Sequence, residues 1–222
     1  MFERQWIHVV AIVLLCTGVA RLDDFDVIRS GSLWGWTSSQ WLWCAIGLAV
    51  AHQVWVAIWW RSELYRQLPS QWFGKAGFVL YAIGFSILGI ARTVAVWLLA
   101  VSNQETLALP PVLMKTMAIL MAIPAFYLFY SVGRYFGFRR AFGYDHWDRS
   151  YSYKPMVRQG IFRYTPNGMY VFGFFILWIP AFWFGSAAAL LVALLNHVYI
   201  WVHYWTTERP DMKHIYTTGG EY

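Results

Sequence analysis

Polar side chains are concentrated near the end of the chain, in a stretch that is otherwise apolar and aromatic. Eight fall within thirteen residues: Asn196, His197, Tyr199, His203, Tyr204, Thr206, Thr207 and Glu208. On a helix their spacing gives two adjacent stripes, one of His197, Trp201, Tyr204 and Glu208, the other of Asn196, Tyr199, His203 and Thr207. Histidines suit proton transfer, and a carboxylate balances a cationic ligand. The alternative is a face that only satisfies hydrogen bonds between helices.

A second dense segment, residues 159–170, comes directly before an apolar helix. It contains Pro166-Asn167-Gly168, which is typical of a turn because proline fixes one backbone angle and the next two residues tolerate left-handed geometry. A turn that leads into a helix exposes free backbone N–H groups, which hold a carboxylate or another anion. The alternative is a plain loop.

The composition indicates which elements position these groups. Of 222 residues, 59% are hydrophobic and only 13% are charged, which excludes ordinary soluble and disordered chains. The two cysteines, Cys16 and Cys44, lie inside apolar runs, so neither a disulfide framework nor a metal site is predicted.

Apolar stretches predict an all-α, polytopic membrane helix bundle with about six spanning helices. They cover residues 5–20, 41–60, 76–101, 111–133, 169–184 and 187–206. We expect one membrane domain over 1–222, with a four-helix part at 1–133 and a part at 134–222 that contains the catalytic-like loop, a helical hairpin and the C-terminal segment.

The basic residues predict the orientation of this bundle. With the N-terminus inside, thirteen of the seventeen Lys and Arg residues lie on one side of the membrane. Both termini and the loop 134–168 are therefore expected to face the cytoplasm. Because these charges are held at a membrane face, nucleic acid is not an expected partner.

Charged and polar residues also occur at membrane depth and in the long loop. Arg92 lies inside the third stretch and is expected to line a cavity and contact a substrate or lipid headgroup. Between residues 135 and 148, aromatic and basic residues alternate, so Arg139, Arg140 and His146 are expected to meet lipid headgroups. The alternative for this loop is a determinant of topology.

The C-terminal pattern resembles a known family. Gly160-Ile161-Phe162-Arg163-Tyr164, a turn, Met169-Tyr170 and a helical hairpin that ends in an acidic segment are similar to the C-terminal half of the integral membrane methyltransferases. These include isoprenylcysteine carboxyl methyltransferases and phospholipid N-methyltransferases. The resemblance covers roughly residues 134–216.

The usual first motif of that family, Gly-x-Tyr-Arg-aromatic-x-Arg-His-Pro-x-Tyr, is degenerate here. Gly160, Arg163 and Tyr170 match it. Phe162 replaces the first Tyr of the motif, Pro166 the second Arg, Asn167 the His and Gly168 the Pro. In the second motif, a Glu-Glu pair, Glu208 matches and Arg209 replaces the second acid.

The resemblance implies an enzyme that transfers a methyl group from S-adenosylmethionine to a lipidic acceptor, with a phospholipid amine favoured. It implies cofactor contacts at Tyr164, Asn167, Gly168, Tyr170, His197, Tyr204 and Glu208. It implies catalytic roles for His203, Glu208 and Arg163.

Other functions remain open at this point. One is a non-catalytic membrane assembly or transport protein derived from the same fold. Another is a haem carrier that uses His52 with His197 or His203. The expected partners are membrane lipids and the lipidic acceptor, and both a homo-oligomer and a larger membrane complex stay open.

Overall fold

The computed structural model describes residues 1–216 and confirms the all-α bundle. Its helices are α1 (Gln5–Leu22), α2 (Asp26–Arg29), α3 (Ser38–Arg66), α4 (Leu68–Phe73), α5 (Ala76–Ser102), α6 (Pro111–Ser131), α7 (Phe138–Ala141), α8 (Phe175–Phe184), α9 (Ala187–His203) and α10 (Arg209–Tyr216). Strands β1 (Ser32–Leu33) and β2 (Trp36–Thr37) form a short antiparallel hairpin before α3.

Six apolar helical segments correspond to the six predicted stretches. Five of the described helices are long and apolar enough to cross a membrane, and the sixth, Met169–Phe184, is shorter. The last segment is the longest, because α9 and α10 continue as one helix over Ala187–Tyr216. The chain is therefore an integral membrane protein.

Helix α3 extends beyond the predicted 41–60 at both ends. At its start, Thr37 and Gln40 form a capping box, in which each side chain accepts a hydrogen bond from the other residue's backbone N–H. At its end, the Glu63 carboxylate accepts hydrogen bonds from the hydroxyl and the backbone N–H of Ser70. These polar groups let the helix continue after its apolar part ends.

Small side chains bring the central helices close together. The main buried cluster contains alanines from α3, α5, α8 and α9: Ala45, Ala95, Ala100, Ala181, Ala188, Ala189 and Ala193. In a membrane, where lipid competes with apolar contacts between helices, close approach through small residues is the usual source of association.

At one end of the bundle, the buried amide of Asn103 joins three segments. Its Nδ2 is within 2.8–3.2 Å of three carbonyl oxygens at the end of α2, those of Val27, Ile28 and Ser30. Its Oδ1 accepts hydrogen bonds from Thr106 Oγ1, Ser186 Oγ and the N–H of Ala188. Asn103 therefore ties the end of α5 to the start of α9.

Three π-helical turns mark the opposite end of the bundle. Val132–Phe136 extends α6, Met169–Gly173 leads into α8, and Tyr204–Glu208 separates α9 from α10. Such turns often occur at functional sites because they redirect side chains and free backbone groups. This end contains the loop 137–168 and the candidate site.

We expect Asn103→Leu to lower the unfolding midpoint of the detergent-solubilised protein strongly. Each buried polar group left without a partner costs about 1–3 kcal/mol, and this substitution leaves several. The exposed neighbour Gln104 offers a control, since Gln104→Leu removes an amide that solvent already satisfies. Equal midpoints for the two variants would contradict the proposed role of Asn103.

Candidate active site

A buried ion pair lies at the centre of this end of the bundle. Arg61 of α3 and Asp211 of α10 are 2% and 0% exposed, and Arg61 Nη2 is 3.3 Å from Asp211 Oδ1. Tyr65 also donates a hydrogen bond to Asp211 Oδ1, at 3.2 Å. The pair joins two helices that are 150 residues apart in the sequence.

Arg61 also holds backbone carbonyls of the adjacent π turn. Its Nη2 is 3.0 Å from the carbonyl oxygen of Thr206 and 3.3 Å from that of Thr207. Pro210 has no N–H, so the carbonyl of Thr206, four residues earlier, does not receive the usual α-helical hydrogen bond. Gln5 of α1 supplies a second donor to Thr206, at 3.1 Å. The π turn is therefore fixed by side chains from two other helices.

His146, in the loop between α7 and the 159–170 segment, lies beside this pair, with Nε2 3.8 Å from Asp211 Oδ2. Its ring lies 4.2 Å from the Trp60 ring, and Nδ1 is 3.1 Å from Asp145 Oδ1. Burial alone lowers the pKa of His146, but Asp145 and Asp211 together outweigh it and raise the pKa to about 9. His146 is therefore a buried imidazolium at neutral pH.

Glycine at position 143 is required for this stacking. Gly143 has φ +78°, and a Cβ atom there would lie 2.3 Å from the Trp60 ring. Only glycine adopts this conformation at no steric cost and leaves room for the indole.

Arg140 and Tyr216 complete the cluster of charges. Tyr216 donates a hydrogen bond to Asp145 Oδ2 at 3.1 Å and accepts one from Arg140 Nη2 at 3.3 Å. Arg140 Nη1 donates to the carbonyl of Pro155, at 3.1 Å. The guanidinium of Arg140 thus faces the protein interior rather than the membrane surface.

Glu208 differs from these paired carboxylates. It ends the π turn, and its Oε2 is buried without a hydrogen-bond partner in the part of the chain that the structure describes. Asp145, His146 and Asp211 are close enough to act on its charge. The cations nearby are already bound by other acids, so the carboxylate of Glu208 is available for a ligand.

His203 is a second buried group with free hydrogen-bonding capacity. It is 2% exposed, and both ring nitrogens lack a partner within residues 1–216. Its ring lies 6.0 Å from the Trp60 ring and 5.9 Å from that of His8 in α1. A neutral imidazole in this position can accept a proton.

Three aromatic rings contact one another near the end of α9. Tyr170, at the start of the π turn before α8, contacts Trp201 at 5.9 Å and Tyr204 at 5.6 Å between ring centroids. Trp201 and Tyr204 contact each other at 5.7 Å, with their planes nearly perpendicular. All three are partly exposed, and their faces and edges can contact a cation.

The segment before Tyr170 packs against the end of α6. Gly160 has φ +60°, and a Cβ atom there would lie 2.6 Å from Ser131 Oγ. That hydroxyl accepts a hydrogen bond from the N–H of Ile161, at 3.1 Å. Glycine at this position is therefore explained by packing.

The predicted turn at Asn167 is present. Its N–H donates to Thr165 Oγ1 at 3.2 Å, and its carbonyl accepts from the N–H groups of Tyr170 and Val171. Gly168 and Met169 follow, where a helix start has no internal acceptor for N–H groups.

The remaining predicted site residues lie elsewhere. His197 accepts a hydrogen bond from Trp178 Nε1 at 3.2 Å and is surrounded by aromatic rings of the 169–184 segment. Arg163 and Tyr164 are both exposed, with the guanidinium over the ring. Arg139 is exposed and lies 3.9 Å from the Tyr144 ring centroid, and Arg92 is deep in the bundle.

Sequence reasoning missed Arg61, Asp145 and Asp211. Arg61 follows an apolar run, as residues that only set topology do. A signal for Asp211 was present, since Glu208 and Asp211 are three residues apart and share one helix face.

Replacing His146 with glutamine tests the charge of this cluster. Because the pKa of His146 in the folded protein, about 9, lies above the ordinary 6.5, protonated His146 stabilises the folded state. This stabilisation is fully present below pH 6.5 and is lost as pH rises through 9. We expect the unfolding midpoint of the wild type to exceed that of His146→Gln, and this difference to shrink between pH 6.5 and pH 9. The exposed His214 offers a control substitution, His214→Gln. A difference between wild type and His146→Gln that is constant with pH would contradict the assignment.

Comparisons with known proteins support the resemblance seen in the sequence. The family model described as phospholipid methyltransferase matches residues 112–219. The match includes Tyr170, His203 and Glu208, whereas Arg61 lies outside it. No curated protein and no solved structure matches the chain. Over residues 112–219, the family model confirms the resemblance to membrane methyltransferases.

Proposed function

We propose that this protein transfers a methyl group from S-adenosylmethionine to the amine of a phospholipid. The observation that carries the proposal is the unpartnered, buried carboxylate oxygen of Glu208, beside three aromatic rings and an unpartnered histidine. A buried carboxylate without a partner is costly, and a cationic ligand supplies the missing partner.

The residues present fit S-adenosylmethionine. Glu208 would bind its ammonium group or its ribose hydroxyls, and the N–H groups of Gly168 and Met169 would bind its carboxylate. Tyr170 and Tyr204 would face the sulfonium through cation–π contacts. When bound, the sulfonium supplies an activated methyl group, so the protein has only to align the acceptor and exclude water.

An amine acceptor must lose a proton before it can accept a methyl group. His203 is the base we propose, because both of its nitrogens are buried and unpartnered near the π turn. His146 is already a cation held by Asp145, so it serves the electrostatics of the site and does not take the proton.

The lipid headgroup would approach from the exposed side of the loop. Arg139 and Arg163 are exposed there and can contact a lipid phosphate. Arg140 and His146 hold the inner side of this loop through their buried contacts. Tyr164, which lies under Arg163, would border the entrance, whereas His197 would act by fixing α8 against α9.

Glu208→Gln tests the proposed donor site. Glutamine keeps the shape and hydrogen bonds of Glu208 but removes its charge, and truncating one partner of a charged contact costs about 2–5 kcal/mol, or roughly 30- to several-thousand-fold in affinity. We expect S-adenosylmethionine and S-adenosylhomocysteine to raise the unfolding midpoint of the wild type. Most of that shift should be lost in Glu208→Gln, with an unchanged midpoint without ligand.

The exposed Glu105, at the opposite end of the bundle, provides the matched control. Glu105→Gln should bind the donor like the wild type. Retained donor binding and turnover in Glu208→Gln would refute the role of Glu208. A wild type that both ligands leave unaffected would favour the non-catalytic assembly or transport protein.

We also propose that the site end of the bundle faces the cytoplasm, because most basic residues lie there. In a variant with both cysteines replaced, Ser150→Cys should react with a membrane-impermeant maleimide only after the cytoplasmic side is opened. Glu105→Cys should react from the outside. The reverse pattern would exclude this orientation.

A further inference from the structure

Arg92 is a buried cation deep in the bundle, away from the methyl-transfer site. It lies ten residues before the end of α5, which is about 15 Å along the helix and near the middle of a bilayer core. It is 9% exposed, and its Nε has no hydrogen-bond partner in the described chain. Its guanidinium lies 5.0 Å from the Phe174 ring centroid.

The groups around Arg92 are polar and also have free hydrogen-bonding capacity. His52 of α3 is close enough to feel its charge, and neither ring nitrogen of His52 has a partner. Tyr199 of α9 is also within electrostatic range of Arg92, and its hydroxyl is hydrogen-bonded to His8 Nε2 at 3.0 Å. Asn196, one turn earlier on the same helix, has an unpartnered Oδ1.

Within residues 1–216, no carboxylate forms an ion pair with Arg92. A guanidinium at the centre of a membrane is costly unless a negative group or several acceptors satisfy it. The acids at the site end cannot do so, because Glu208 lies twelve residues, or about 18 Å, beyond Asn196 along the last helix.

We propose that Arg92 binds the oxyanion of a single-chain acidic lipid, either an acyl carboxylate or a phosphate monoester. The oxyanion would accept hydrogen bonds from the guanidinium and from His52. Because Arg92 lies at membrane depth, an anion that reaches it needs a hydrocarbon tail to enter the bilayer.

This site differs from the proposed donor site at Glu208, which lies about 18 Å beyond Asn196 along the last helix. The proposal for Arg92 therefore does not depend on the binding of S-adenosylmethionine at Glu208.

Lipid binding to the detergent-solubilised full chain tests the proposal. Palmitate and hexadecyl phosphate are the anionic probes, and hexadecanol has the same tail without the charge. We expect at least one anion to raise the unfolding midpoint while hexadecanol does not, and the larger of the two shifts identifies the headgroup. Arg92→Gln should weaken the binding of the anion that stabilises the wild type by about tenfold or more.

The exposed Lys115, at the start of α6, gives the matched control, and Lys115→Gln should bind the anion like the wild type. Arg92→Gln should fold, since loss of an uncompensated buried charge is often neutral or stabilising. Arg92→Lys serves as a second variant and should retain part of the binding. An equal effect of hexadecanol, no effect of either anion, or unchanged binding in Arg92→Gln would overturn the proposal. S-adenosylmethionine stabilisation, measured in parallel, should be the same in Arg92→Gln and the wild type.

Discussion

The buried pairing of Arg61 with Asp211 is the constraint on which the site end of the bundle depends. Two charges placed out of water require close contact and additional hydrogen bonds. Arg61 meets this requirement with Asp211 and with two carbonyls of the π turn, and the first of these has no α-helical donor because Pro210 lacks an N–H. The same contacts hold the π turn that Glu208 ends.

The charge pattern of the cluster follows from this pair. Arg61 is held by Asp211, His146 lies between Asp211 and Asp145, and Arg140 reaches Asp145 through Tyr216. Each of these cations is already committed to a carboxylate or to backbone oxygens. Glu208 lies near the carboxylates of Asp145 and Asp211, and its Oε2 has no partner within residues 1–216. We therefore assign it to a cationic ligand. At the other end of the bundle, the neutral amide of Asn103 joins the segments without leaving charge for a ligand.

The fold therefore uses buried polar groups in two ways. Where a buried polar side chain is itself paired, as Asn103 and Arg61 are, it fixes the ends of helices. Where atoms stay unpaired, as at Glu208, His203 and Arg92, the hydrocarbon surroundings make that state costly, and a ligand lowers the cost. This contrast connects the architecture with both proposed binding sites.

The sequence alone determined the membrane fold and its six apolar segments, because the bilayer requires long apolar helices whatever their packing. Helical spacing also predicted that Trp201 and Tyr204 share a face, which their ring contact confirms. The sequence did not reveal that α3 continues to Arg66, since hydropathy ends where the polar contacts of Arg61 and Glu63 begin. Only the tertiary structure decided that Arg61 binds Asp211, that Arg140 points inwards and that Arg92 has no anionic neighbour. The sequence shows an arginine in all three cases and does not distinguish these environments. Which group an arginine contacts depends on how the other segments pack against its helix.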